Sequence, residues 1–349
     1  MKKRVFSGFR PTGRQHIGNY LGAVQNFIVL QDEYDCVYCV VDIHALTTLE
    51  NTESLREDIY EMVLDWLAAG IDPQKSIIFV QSHVPQVEEL HTLFSMLTPL
   101  SWLLRVPTFK EKVKMQPHNV NYGLVGYPVL MTADIALYKG EVVPVGEDQL
   151  PHLELTNDIA AKFNSLYGNT FAEIKPLLTK IPKLLGIDGR KMSKSYGNFI
   201  ALGDPEDAIK EKCSQMFTDP ERIRLSDEGH PDKCNVYAYY DLLKKDCASG
   251  VYDYCAKARV GCTECKKNLS SIVSDYLADI RKKREKLLKD KAGLKEHIIK
   301  IKKKPKHTFV IHGEAGQSLA FAADLRNTMK LSARVPEFRQ IYPLKNSAG

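Results

Sequence analysis

The sequence has no apolar stretch of membrane-spanning length, no low-complexity run and no internal repeat. The first absence argues against a transmembrane helix. The second argues against a disordered or fibrous chain, and the third against a solenoid or propeller. The opening residues, Met1-Lys2-Lys3-Arg4-Val5-Phe6-Ser7-Gly8, carry no apolar signal region and enter a strand-like segment directly, so a cytoplasmic protein is expected. In that compartment disulfides among the eight cysteines are not expected. Bulk charge is also small, +5 in all, but it is unevenly placed: residues 266–306 hold fifteen Lys/Arg against five Asp/Glu, leaving the remainder at −5. A local basic excess late in the chain suits a polyanion-binding face.

With 349 residues, 44% hydrophobic and 26% charged, the chain can build a large core and two domains. Val5-Phe6-Ser7, Val37 to Val41, Ser76 to Val80 and Val142 to Val145 read as short buried strands. Helices are predicted from Gly18, from a cap at Asn51-Thr52 to Gly70, and from about Gln149 to Asn164. Alternating strands and helices imply right-handed βαβ units and a Rossmann-like parallel sheet. Past residue 203 strand signals fade and helical periodicity takes over in Pro205–Phe217, Val236–Lys245 and Leu269–Lys291. The expected organisation is therefore α/β: a catalytic domain over 1–203, an all-helical domain over 204–330 and a tail over 331–349.

Two short motifs carry chemistry. His16-Ile17-Gly18-Asn19 lies between the first strand and the first helix, where backbone N–H groups and the helix dipole point out of the sheet. Lys191-Met192-Ser193-Lys194-Ser195 lies at the predicted domain junction, with Gly189 and Gly197 on either side. Two ammonium groups on a glycine-flanked loop can close over a polyphosphate. Together the motifs resemble the two signatures of class I aminoacyl-tRNA synthetases. Further stretches are similar to the tryptophanyl-tRNA synthetase family: Val41-Asp42-Ile43-His44-Ala45, Gln81-Ser82-His83-Val84-Pro85, Phe109-Lys110-Glu111-Lys112, Tyr127 to Ile135, and Val145-Gly146-Glu147-Asp148-Gln149.

That resemblance implies ATP- and Mg²⁺-dependent activation of L-tryptophan and its transfer to the tryptophan tRNA, by a homodimer with no membrane partner. It implies catalytic roles for His16, Asn19, Lys112, Lys191 and Lys194. It places ATP against Arg10, Pro11, Thr12, Gly18, Asn19, Gly146, Asp148 and Lys191 through Ser195. It walls the indole with Phe6, Gly8, Met131 and Val143, gives the indole N–H to Asp134, and puts His44, Tyr127 and Gln149 near the amino-acid head group or its approach. Arg10 stands where many members carry glutamine. Arg281 to Arg284 and Lys302 to Lys304 are the candidate tRNA contacts in the basic stretch.

Five cysteines fall within 234–265. Cys255, Cys262 and Cys265 are spaced C-x6-C-x2-C, with Cys234 twenty-one positions before Cys255 and Cys247 as a competing fourth member. Four thiolates can hold zinc or an iron–sulfur cluster. A subset of the resembled family binds a [4Fe–4S] cluster through a similar motif, which implies that cluster here, with structural zinc as the alternative. Cys36 and Cys39 fall within one strand and read as core.

Overall fold

The structure, a computed structural model, describes residues 2–11, 13–49, 51–115, 117–178, 184–192, 196–289, 308–309 and 333–334. Residues Met1–Lys300 form one compact unit and Ile301–Gly349 another. In the second, the described residues are a two-residue parallel pair, Thr308–Phe309 with Ala333–Arg334. The expected 331–349 tail otherwise lies outside the described residues, as do Thr12, Ser193, Lys194, Ser195 and Lys302 to Lys304.

The first unit is built on strands β1 (Arg4–Phe9), β2 (Asp35–Val40), β3 (Ser76–Val80), β4 (Val142–Val145) and β5 (Lys175–Leu178). All are parallel, in the order β3-β2-β1-β4-β5. The order reverses between β1 and β4, and in an open α/β sheet the crevice beyond the strand carboxyl ends at that point receives ligands. β5 carries Pro176, which an edge strand tolerates because its outer side forms no ladder.

Around the sheet lie helices α1 (Ile17–Asn19), α2 (Gln25–Glu33), α3 (Asp42–Ala45), α4 (Leu55–Ala69), α5 (Gln86–Leu97), α6 (Leu100–Arg105), α7 (Pro107–Met115), α8 (Tyr122–Leu137) and α9 (Leu150–Tyr167). A wide π turn, Tyr20–Val24, joins α1 to α2. Helix α4 starts later than its sequence suggests. Its N-cap is Ser54, while the Asn51 side chain accepts from the Glu53 N–H in a turn of its own. Beyond the sheet follow α10 (Glu206–Ser214), α11 (Asn235–Leu243), α12 (Lys245–Ala256) and α13 (Cys262–Lys289), the helical region expected after residue 203.

The cores explain how both signature motifs are held. Cys36 packs on one face of the sheet with Trp66 and Phe27, and Cys39 on the other with Phe6 and Ile135, as strand alternation requires. A further cluster joins Ile17, Leu21, Met192 and Ile200 to Val236, Leu269, Val273 and Leu277. The turn after β1, the lysine segment and the helical region therefore share one apolar core.

Candidate active site

A cavity of about 420 Å³ opens at the β1/β4 switch point. β1 and its continuation contribute Phe6, Gly8 and Arg10; β4 and the following turn contribute Val143, Gly146 and Gln149; α8 contributes Tyr127, Met131 and Asp134. His44 from α3 and Lys112 from α7 complete the set. All eight residues expected around an indole-bearing amino acid line it, together with two expected at ATP, Arg10 and Gly146, and the expected catalytic Lys112. Gly22, Ala23 and Asn26, on the π turn and the start of α2, also face it. A π turn widens a helix locally and often marks a functional site.

The cavity's buried charge is Asp134, 1% exposed. Gln81, at the end of β3, donates from Nε2 to both its oxygens at 2.9 and 2.8 Å. His44 Nε2 lies 2.9 Å from Asp134 Oδ2. A carboxylate only accepts, so that nitrogen carries the proton. Gln81 cannot turn its amide over, because its Oε1 accepts the N–H groups of Ile43 and His44, each at 3.2 Å. His44, which the resemblance puts near the head group or its approach, is thus partnered to Asp134. Gln81 is a site residue that the sequence reading quotes without assigning a role; its signal was an amide at the carboxyl end of a buried strand.

The cavity lining also carries cations. Lys112 Nζ sits 3.4 Å from the centroid of the Tyr127 ring, a cation–π contact. Burial, and secondarily the Arg10 charge, pull the Lys112 pKa down to about 8. The Tyr127 hydroxyl meets His152 Nε2 at 3.1 Å. Burial and Lys112 push the His152 pKa down to about 4, so that ring is neutral at physiological pH.

The first signature sits beside this cavity. His16 is the N-cap of α1: its Nδ1 accepts from the Asn19 N–H, while Asn19 Oδ1 accepts from the His16 N–H. His16 pairs with Ala201 as an antiparallel bridge, and the Ile17 N–H reaches Ile200 O at 3.0 Å. The second signature enters through Lys191, bridged to Leu185, and Met192, which is buried. A Cβ on Gly18 would stand 3.2 Å from Met192 Sδ and 3.1 Å from His16 Nδ1, a tight fit that brings the two motifs into close approach around this glycine.

Residues 1–278 match the family of class I tRNA synthetases for W and Y. The tryptophan–tRNA ligase of Thermotoga maritima is 46% identical over 287 residues, spanning 79% of this chain and 86% of that one. That of Aquifex aeolicus is 40% identical over 360 residues, spanning 82% and 91%. The chain belongs to the tryptophanyl-tRNA synthetase family. A solved member, from Campylobacter jejuni in complex with ADP and tryptophan, superposes with a TM-score of 0.77 at 34% identity, covering 84% of this chain and 92% of that one.

Two further tryptophanyl-tRNA synthetase features were expected in the helical region. Cys234, Cys255 and Cys262 lie within electrostatic reach of Cys265, and burial, with those neighbours secondarily, pushes its pKa to about 12. Burial and the same surroundings raise Cys255, whose sulfur lies 3.9 Å from Arg222 Nη1. Cys247 is exposed. Cys262 and Cys265 lie in the first turn of α13, where the helix dipole favours negative charge; no three of the four sulfurs lie within 4.8 Å of one another, so they are not gathered here as a tight ligand set. The basic quartet is a correction. Arg281 pairs with Glu206, and Arg284 is held inside by Asp65 and Glu61, so neither guanidinium is a free tRNA contact. Lys282 and Lys283 remain exposed.

Proposed function

We infer that the chain activates L-tryptophan with ATP and Mg²⁺ and charges the tryptophan tRNA. The tryptophan carboxylate attacks the α-phosphorus, pyrophosphate leaves, and the adenylate's carbonyl is then attacked by a ribose hydroxyl at the tRNA 3′ end, releasing AMP. The chain supplies no covalent nucleophile; its work is positioning and charge stabilisation. The observation that carries this reading is the buried Asp134 carboxylate, held by Gln81 and His44 in a cavity whose lining also includes Lys112 and Arg10.

In this arrangement the indole packs against Phe6, Gly8, Met131 and Val143 with its N–H toward Asp134. The head group lies toward Tyr127 and Gln149. ATP extends from Gly146 and Asp148, past Arg10 and Pro11, to Lys112 and Lys191, beside the α1 turn with His16, Gly18 and Asn19. Tryptophan-dependent ATP–pyrophosphate exchange tests the reading. Exchange is expected with tryptophan and not with tyrosine; no exchange with tryptophan would refute it.

We further propose that Cys234, Cys255, Cys262 and Cys265 hold a [4Fe–4S] cluster, zinc being the alternative. Such a group would tie the start of α11, the end of α12 and the start of α13 together. Anaerobically purified protein is expected to contain iron and sulfide in equal amounts. Cys265→Ser should lose both and Cys247→Ser should keep both; colourless wild-type protein with one zinc per chain would decide for the alternative. Eight free thiols suit the cytoplasm, which we propose as the location. Among the described residues no helix is long and apolar enough to cross a membrane.

A homodimer is proposed from α5 and α6, where Leu93, Met96, Leu100 and Leu104 are all more than 40% exposed. A face of this kind fits a second copy of the chain. Met96→Asp combined with Leu100→Asp should weaken self-association by about 30-fold or more, read by sedimentation equilibrium; unchanged association would remove this face from the interface.

A further inference from the structure

The Arg284 guanidinium, inside the molecule, connects the long C-terminal helix to the turn that carries His16. Its Nε donates to Asp65 Oδ1 at 2.8 Å, and its Nη2 pairs with Glu61. The other Asp65 oxygen accepts the Gln15 N–H at 2.9 Å. Asp65 is 1% exposed, so α13 reaches the residue next to His16 through a single buried carboxylate. Gln15 O accepts in turn from the Leu202 N–H at 2.9 Å, which fixes the strand-like segment leading away from the lysine motif.

A second set of charges clamps the same crossing. Arg14 Nη1 meets Asp204 Oδ1 at 3.2 Å, while Asp204 Oδ2 accepts from Lys212 at 2.6 Å and from the Ala201 N–H at 2.8 Å. Between the two sets lies Gly203. A Cβ there would stand 2.8 Å from Arg284 Cδ and 3.2 Å from Arg14 Nη2, so both side chains pack over a position that only glycine leaves open. Three carboxylates, Glu61, Asp65 and Asp204, meet three cations, Arg14, Lys212 and Arg284. Helix packing alone does not require such a knot, since apolar side chains of similar volume hold helices together as well or better. What ions and their hydrogen bonds add is a fixed register between the groups they join.

We propose that Arg284, acting through Asp65, is a positioning residue for adenylate formation: it sets the register between the His16 turn and the segment that follows the lysine motif. This rests on the assignment of those two motifs to ATP. The residues proposed to hold the indole, Phe6, Gly8, Met131, Asp134 and Val143, stand on β1, β4 and α8 and not on the His16 turn, and the link predicts that ATP chemistry and amino-acid binding separate when the knot is loosened.

The test uses Asp65→Asn, Arg284→Lys and the charge-neutral double variant Asp65→Asn/Arg284→Met in the full chain. Tryptophan binding is read by equilibrium dialysis, and ATP KM and kcat by pyrophosphate exchange without tRNA. The expected result for Asp65→Asn is an ATP kcat/KM about tenfold lower, with the tryptophan dissociation constant unchanged within about twofold. Arg284→Lys keeps the charge but loses the two-armed geometry, and should show a smaller loss than Asp65→Asn, again in ATP kcat/KM and not in tryptophan binding. A purely structural role would lower ATP and tryptophan parameters together, in proportion to the folded fraction; that outcome, or a folded Asp65→Asn enzyme with unchanged ATP kinetics, overturns the proposal. If Asp65→Asn does not fold, the same comparison is read from Arg284→Lys and the double variant. Wild-type protein without tryptophan-dependent exchange would instead overturn the synthetase reading.

Discussion

Asp134→Ala is expected to lower kcat/KM for tryptophan in pyrophosphate exchange by about 100- to 1,000-fold, with ATP KM little changed. The carboxylate is buried with two protein donors, Gln81 and His44, aimed at it. Its removal leaves both donors unpaired in the cavity wall as well as losing the proposed indole contact, and an unpaired buried donor is costly. Asparagine should not rescue the loss. Gln81 Nε2 faces both oxygens, and its own amide is locked by the N–H groups of Ile43 and His44, so an asparagine NH₂ would meet another donor. Asp134→Asn activity within about threefold of wild type would show that the carboxylate does not recognise the ring.

This geometry also sharpens the basis of discrimination. From sequence, the carboxylate alone rejects a substrate lacking an N–H, because it would be left without a partner. In the structure Asp134 already has two protein donors. Under the proposed assignment, rejection of phenylalanine would rest on the combination of one missing hydrogen bond with the fit of the ring against Phe6, Met131 and Val143, and Gln81 would be part of the specificity device.

Lys112→Met is expected to reduce exchange by about 100-fold or more, since a cation aimed at charge developing on a transferring phosphoryl group acts with most force in a water-poor site. The wild-type pH profile should carry the same signature. Lys112 is charged below its pKa of about 8 and neutral above it. Only the ammonium attracts phosphate, so kcat/KM for ATP should fall as pH rises through about 8. Once bound, the phosphates favour the ammonium form, so the corresponding limb in kcat should move to higher pH. Lys112→Arg keeps its charge across this range and should lose the limb. A limb unchanged in Lys112→Arg would assign it to another group.

The sheet was legible where strands are runs of apolar residues: Val37 to Val41, from a strand buried on both faces, and Ile77 to Val80, whose side chains alternate between buried and partly buried. Strand β5 was not: Lys175–Leu178 is an edge strand with a proline and mostly exposed side chains. Helices α5 to α8 were also unread. Helix α8 is buried along most of its length and contains Pro128, so it shows neither an amphipathic stripe nor an uninterrupted helical sequence. The candidate tRNA contacts illustrate the limit for charge. A run of Arg and Lys signals a basic surface, but whether a given guanidinium faces solvent depends on carboxylates far away in sequence, and Glu61 and Asp65 claim Arg284.

By itself the sequence determined the parallel sheet and the two signature motifs, because each depends on local periodicity or on short motifs whose residues act together, and its resemblance to a known family pointed to the residues that line the cavity. Only the tertiary structure decided the partners. It gave Asp134 to Gln81 and His44, and it set Lys112 against the Tyr127 ring. It also closed the two signatures on each other at Gly18, between His16 and Met192. Hydrogen bonds and ion pairs between residues distant in sequence are set by how the layers pack. No local pattern records which donor a buried carboxylate will meet.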